Sequence, residues 1–248
     1  YQNFIFKNYA YVRDGGGQYR SIYGDKLKKV TYWTEEDFTT GRVFESDIPL
    51  ETRVLIDRYP DSDDVSEDHR ILYYDIEVEV TDGFPEPTKA ENKITSIAFQ
   101  TSHDGKSYVY ILGDRKDEQK SGALIKFFKN EMDLLQEFLR FWIDLKPTII
   151  SGWNIDQFDT PYLYNRISKV FDEDFANALS PIQQVRYNQN KKKYRIAGVS
   201  SLDYIELYRK FTYVQRSSYR LDYIGQIEVG MGKVEYEGTL DQLLENDI

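Results

Sequence analysis

Cysteine is missing from all 248 residues, and histidine occurs twice. That excludes disulfides and thiolate metal sites, leaves little for a zinc site of the histidine kind, and fits a reducing compartment. Long apolar runs are missing too, since a membrane helix needs about 20 consecutive apolar residues. The opening "YQNFIFKNYAYVRD" has no basic n-region, no small-residue cleavage site and no initiator Met, so no secretory signal is expected and a segment of a longer chain is. Positive charge is in deficit: the net charge is −10 and the isoelectric point about 4.9. Bulk electrostatic attraction to nucleic acid is therefore not expected. An acidic site that meets phosphate through divalent cations stays open, because there the metal is the largest local charge.

Apolar residues make up 40% and charged residues 30% of the chain, the balance of a soluble globular protein with a sizeable core. Residues 1 to about 70 are mixed, with a Gly-rich turn, "RDGGGQYR", and short aromatic segments such as "KVTYW". The polar, acidic stretch "RYPDSDDVSEDHR" (58 to 70) reads as a linker, and a domain boundary is expected there. Strand signals follow at Ile71–Val80, Ile94–Thr101 and Ser107–Leu112, the last two parted by the hairpin turn "SHDGK". In "NEMDLLQEFLRFWIDLK", Met132, Leu135, Leu139 and Trp142 recur at helical spacing with Phe138 beside them. "PTIISGWN" reads as a short buried strand ending in a loop. "TPYLYNRISKVF" reads as a helix with Thr160 as N-cap and Pro161 at its first position. "VRYNQNKKKYRIAG" is expected to form a basic hairpin, "SSLDYIELYRKF" a strand or short helix, and "SSYRLDYIGQIEV" a helix. A strand meander, then helix, strand, helix and strand, predicts a mixed α/β sheet with the element order of a ribonuclease H-like fold.

One strand carries an anomaly. In "ILYYDIEVEV" (71 to 80), Asp75, Glu77 and Glu79 interrupt residues suited to burial. Side chains alternate along a strand, so the three acids share one face and Ile76, Val78 and Val80 the other. Taken alone, this is an ordinary half-buried strand with a solvated acidic edge. Chemistry offers more. A phosphodiester is a poor, negatively charged electrophile, and two divalent metals about 3.5–4 Å apart can activate water and stabilise the leaving oxygen. Mg²⁺ and Mn²⁺ suit carboxylate and water ligands, and Asp-x-Glu sets two carboxylates about 7 Å apart on one face. A further carboxylate must come from elsewhere. Asp156 and Asp159 are both candidates, and Asp159 is equally a good helix-start residue. The chemistry does not choose between them.

Three stretches in order, "YYDIEVEV…DGFPEP", "SGWNIDQFDTPYLYNRI" and "SSYRLDYI", resemble the 3′→5′ proofreading exonuclease of family-B DNA polymerases, most of all the T-even-type bacteriophage group. The first is similar to that family's Asp-Ile-Glu motif and the second to its motif of an Asn followed by an Asp in Phe-Asp. The resemblance runs from about Ile22 to the end of the chain. It implies a ribonuclease H-like exonuclease domain over 71–248 behind part of a polymerase N-terminal domain and linker at 1–70. It implies Asp75, Glu77 and Asp159 as ligands of Mg²⁺ or Mn²⁺, with Asn154 beside the substrate and in the catalytic group. Phe84 is then placed against an unstacked 3′ end, although a turn aromatic covering the core edge is an equal reading. Glu79 becomes a solvated residue or a group behind the ligands. The stretch "RYNQNKKKYR", with Arg186 and Lys192, fits a hairpin that helps separate primer from template, against the plainer reading of a solvated charge run. Implied partners are single-stranded and primer–template DNA and the remainder of a polymerase chain, with no membrane. The implied setting is the cytoplasm of a phage-infected host cell.

The family's third motif, Tyr-x-x-x-Asp on a late helix, does not occur before Ile248. Asp222 is preceded by Tyr219 at the wrong spacing, and Asp203, Asp241 and Asp247 also lack the pattern. The expectation is thus a fragment cut ahead of that motif, with an incomplete two-ion site and weak activity by itself. Its rival is a DNA-holding or partner-binding fragment without useful catalysis.

Overall fold

In a computed structural model, the described residues are 7–63, 68–80 and 83–232. The chain divides into two compact units, Tyr1–Val65 and Ser66–Ile248. The third-motif approach "YEGTLDQLLENDI", with Asp241 and Asp247, lies outside the described residues, as do Thr81 and Asp82 of the "TDGFPEP" loop.

The first unit is built on a four-stranded antiparallel sheet ordered β2-β3-β1-β4, from β1 (Ala10–Arg13), β2 (Tyr19–Arg20), β3 (Lys26–Val30) and β4 (Val43–Phe44). Helix α1 (Glu35–Thr39) starts at a capping box in which Thr34 and Asp37 exchange bonds. Helix α2 (Leu50–Arg58) buries Leu50, Val54 and Arg53. Arg53 is a structural cation: it bonds the Glu45 carboxylate and carbonyl at 2.7 Å each, and its guanidinium lies 4.2 Å from the Tyr9 ring centre.

The second unit holds a seven-stranded mixed sheet ordered β13-β10-β5-β6-β7-β9-β8. Its strands are β5 (Ile71–Val78), β6 (Ile94–Thr101), β7 (Ser107–Leu112), β8 (Glu118–Lys120), β9 (Ala123–Phe128), β10 (Ile149–Gly152) and β13 (Ser200–Asp203). The meander β5-β6-β7 is antiparallel, and β10 runs parallel to β5 and to β13. Helices α3 (Glu131–Leu145), α4 (Asp159–Val170) and α6 (Tyr204–Phe211) pack on it. Helix α5 (Glu173–Asn177) adjoins α4, and α7 (Leu221–Glu228) is the last among the described residues. A separate two-stranded hairpin, β11 (Val185–Asn188) with β12 (Lys193–Ile196), is the basic hairpin expected from the sequence. This large mixed sheet flanked by helices is the ribonuclease H-like α/β arrangement that the element order predicts.

The hydrophobic core gathers Leu72, Tyr74, Ile76 and Val78 of β5, Ile94, Ile97 and Phe99 of β6, Leu134 to Leu145 along α3, and Tyr162, Leu163 and Ile167 of α4. Two sequence expectations shift. Met132 is 50% exposed, because the buried stripe of α3 is centred on Leu135, Phe138 and Trp142, and Glu131 rather than Met132 lies on that face. Glu131 is buried with a forked bond to Arg166 of α4, at 2.7 and 2.6 Å. Strand β5 ends at Val78, and Val80 is exposed.

Candidate active site around Asp75 and Asp159

Strand β5 is central, with β6 on one side and β10 on the other. Its alternation is as the sequence predicts: Leu72, Tyr74, Ile76 and Val78 are buried, while Tyr73, Asp75 and Glu77 share the opposite, more open face. Asp75 pairs in register with Ala98 and Glu77 with Ser96. A bulge between Glu77 and Val78 sets Val78 opposite Ile94, so Thr95 is the extra residue, and its hydroxyl donates to the Glu77 carbonyl at 3.2 Å.

Next to this face runs the loop joining β10 to α4. It approaches so closely that only glycine fits at its root. A Cβ on Gly152 would lie 2.6 Å from the Tyr74 carbonyl oxygen and 2.5 Å from Ile155 Cγ2. Asn154 follows in the left-handed region, at φ 69°, a conformation that Asn tolerates better than most residues. Its N–H donates to Asp203 Oδ1 at 2.9 Å, and that of Asp156 donates to Asp203 Oδ2 at 3.0 Å. Asp203 also caps α6 by accepting the Ile205 N–H at 3.1 Å. One buried carboxylate therefore sets the path of the whole loop. Burial pushes its pKa up, against the three N–H groups that pull it down. Sequence reading weighs Asp203 only against the third-motif pattern and misses this role. The available signal was Asp203 followed three residues later by Glu206, a helix-start pattern.

The two candidate loop carboxylates have separate fates. Asp156 is buried and committed to structure, accepting Lys193 Nζ at 2.7 Å and the Ser201 hydroxyl. Asp159 is 3% exposed and turns toward β5, where Oδ1 accepts the Ile76 N–H at 3.0 Å. Its pKa is raised from 3.8 to about 7, first by burial and next by the negative charge of Asp75. Helix α4 begins at Asp159 and has no side-chain cap. Thr160, expected to cap it, instead bonds the Tyr74 hydroxyl at 2.6 Å inside the core, because the helix starts two residues earlier than the Thr-Pro signal suggests, with Phe158 at the cap position.

Asp75 and Asp159 thus face one another electrostatically across β5 and the α4 N-terminus. Glu77 lies one strand repeat beyond, past which the bulge begins. Among the described residues no group of three His, Cys, Asp or Glu side chains closes on a point that would hold a metal ion. Part of the reason is that Asp159 Oδ1 is already turned to the β5 backbone. Phe84 is 83% exposed, yet its ring centre lies 5.4 Å from that of Phe158, the residue before Asp159. Arg186 is exposed on β11, and Lys192 is exposed at the hairpin tip with φ 50°. Neither is drawn into the carboxylate group. Asp222 sits in the first turn of α7 beside Arg220, at 3.5 Å. No described helix is long and apolar enough to cross a membrane.

Residues 52–224 match the family described as DNA polymerase family B, exonuclease domain. The chain is 36% identical over 208 residues to the DNA-directed DNA polymerase of Escherichia phage RB69, and 34% identical over 208 residues to that of Enterobacteria phage T4. Each comparison covers 72% of this chain and 23% of the relative. A DNA polymerase delta catalytic subunit from Dictyostelium discoideum is 30% identical over 173 residues, covering 66% of this chain and 15% of that protein. The chain therefore spans about a quarter or less of the length of these relatives. With the ordered motifs, the mixed sheet and the paired carboxylates, the match over residues 52–224 leads to one assignment: this chain belongs to DNA polymerase family B, as its exonuclease domain.

Proposed function

We propose that the chain is the proofreading 3′→5′ exonuclease module of a DNA-directed DNA polymerase, removing the last nucleotide from a single-stranded 3′ end. The observation that carries this reading is the placement of buried Asp159 against β5 beside Asp75, where burial first and the Asp75 charge second raise its pKa to about 7, within a family-B exonuclease domain. In this reading residues 1–70 contribute part of the polymerase's N-terminal domain, and the remainder of the polymerase and primer–template DNA are the partners.

The donor set fits a hard divalent cation. Carboxylate oxygens suit Mg²⁺ or Mn²⁺, the chain has no cysteine, and a cation would offset the burial and the Asp75 charge that raise the Asp159 pKa. Asp75, Glu77 and Asp159 would hold it, and bound metal would supply an activated water and charge stabilisation at phosphorus. The chain's own residues do the rest. Phe84 stacks on the terminal base, a sequence-independent contact of about 1–3 kcal/mol. Asn154, its backbone fixed by Asp203, is held where it can orient the terminal sugar-phosphate. Arg186 and Lys192 meet backbone phosphates on the hairpin side. In the balanced reaction, a water oxygen bonds to phosphorus and the bond to the 3′ oxygen of the preceding nucleotide breaks. That oxygen takes a proton, and a 5′-mononucleotide leaves.

The test uses a 5′-labelled single strand with Mg²⁺ or Mn²⁺, offered to this chain and to the longest natural form that contains it. The longer form should shorten the strand one nucleotide at a time from its 3′ end. Asp75→Ala and Asp159→Ala should each remove that activity. Unchanged digestion in both variants would overturn the reading.

A further inference from the structure

Helix α4 does more than present Asp159. Its next turn grips the loop that carries Phe84. Tyr162 exchanges bonds with the Asn92 backbone, accepting at 3.2 Å and donating at 2.9 Å. Arg166 Nη1 donates to the Ala90 and Glu91 carbonyls at 3.0 and 2.7 Å. The grip nearest to Phe84 in the chain is Asn165, whose Nδ2 donates to the Pro87 carbonyl at 3.0 Å and to that of Pro161 at 2.9 Å. The same carboxamide reaches the other way: its Oδ1 accepts the Tyr194 hydroxyl at 2.8 Å. Tyr194 lies on β12, and its ring packs on Tyr164 of α4 with centres 4.7 Å apart. A second tie, Lys193 to Asp156 at 2.7 Å, holds the same hairpin strand to the β10–α4 loop.

A carboxamide suits this place because it offers two donors and an acceptor at once. A carboxylate would only accept, and would set a negative charge against two carbonyl oxygens. We propose that Asn165 is a positioning residue of the exonuclease site, a joint that fixes the Phe84 loop and the 185–196 hairpin to the helix that carries Asp159. This rests on the reading that Phe84 and the hairpin meet DNA. The two arms are chemically separable. Asn165→Asp removes the donors to the Phe84 loop and keeps an acceptor for Tyr194. Tyr194→Phe removes the hairpin bond and leaves the loop bond in place.

The probe is DNA with a fluorescent adenine analogue at its 3′ terminus, as a single strand and as a mispaired primer end on a template. Its emission changes when the terminal base leaves its neighbours and stacks on an aromatic ring. Asn165→Asp should weaken single-strand binding by about tenfold, the loss expected when a single base-stacking contact fails to form. It should also lose the terminal-base signal as Phe84→Ala does. Tyr194→Phe should shift the primer–template response far more than the single-strand response. Melting temperatures of both variants exclude simple unfolding. If both variants bind and signal as wild type does, or lose both signals in parallel, the positioning role is overturned while the exonuclease reading stands. If the wild-type chain gives no terminal signal with either DNA, both fall together.

Discussion

Asp159 is the residue at which the chain's electrostatics are most exposed to experiment. Its pKa is about 7 in the folded chain against 3.8 in its ordinary state. Between those values the folded form binds more protons than the unfolded form, so this group lowers stability as pH rises through that window. Asp159→Asn keeps an oxygen for the Ile76 N–H and removes the ionisation. It should melt higher than wild type above pH 7 in the absence of divalent cations, and the gap should close as pH falls toward about 4. Millimolar Mn²⁺ should raise the melting point of the wild-type chain, by mass action on the folded form, more than that of the variant. An equal rise in both would separate Asp159 from cation binding. At this scale the sequence was partly legible. The β5 alternation could be read because strand geometry is local. The structural ties of Asp156 could not, because its partners Lys193 and Ser201 lie 37 and 45 residues away.

Among elements, α3 and α4 are joined by a buried ion pair that the sequence did not announce. Glu131 and Arg166 are 35 residues apart, and Glu131 Oε1 also accepts the Ile94 N–H at the start of β6. Glu131→Ala would leave a buried guanidinium without its counter-charge, which costs about 3–5 kcal/mol. Breaking the half-exposed Lys126–Glu137 pair with Lys126→Ala should cost less than about 1 kcal/mol. Urea unfolding compares the two, and similar losses would contradict the burial argument. Strand β9, "ALIKFF", escaped sequence reading for a related reason. Lys126 breaks its apolar pattern, and its strand identity comes from parallel pairing with β7, a contact that no short window contains. The segment "SSLDYIELYRKF" reads as strand or helix because it is both: Asp203 ends β13 and caps α6.

At the scale of the whole molecule, every described member of the main hydrophobic core lies between Leu72 and Ile196, inside the second unit. That unit has enough interior to fold without the first. Residues 66–248 expressed alone should therefore unfold in one cooperative urea transition with near-native circular dichroism. A broad, non-cooperative melt would show that the core depends on the first unit.

Gly152 carries this geometry into heredity. The loop holding Asn154 and Asp159 rests against β5 because position 152 has no side-chain carbon. A single methyl group there would push the loop off the Tyr74 carbonyl and part Asp159 from Asp75. Displacements on the order of 1 Å can cost about a hundredfold in rate, so any hydrolysis that depends on these two carboxylates would slow by about that factor. Under the proposed proofreading function, such a change would surface as copying errors that accumulate over generations.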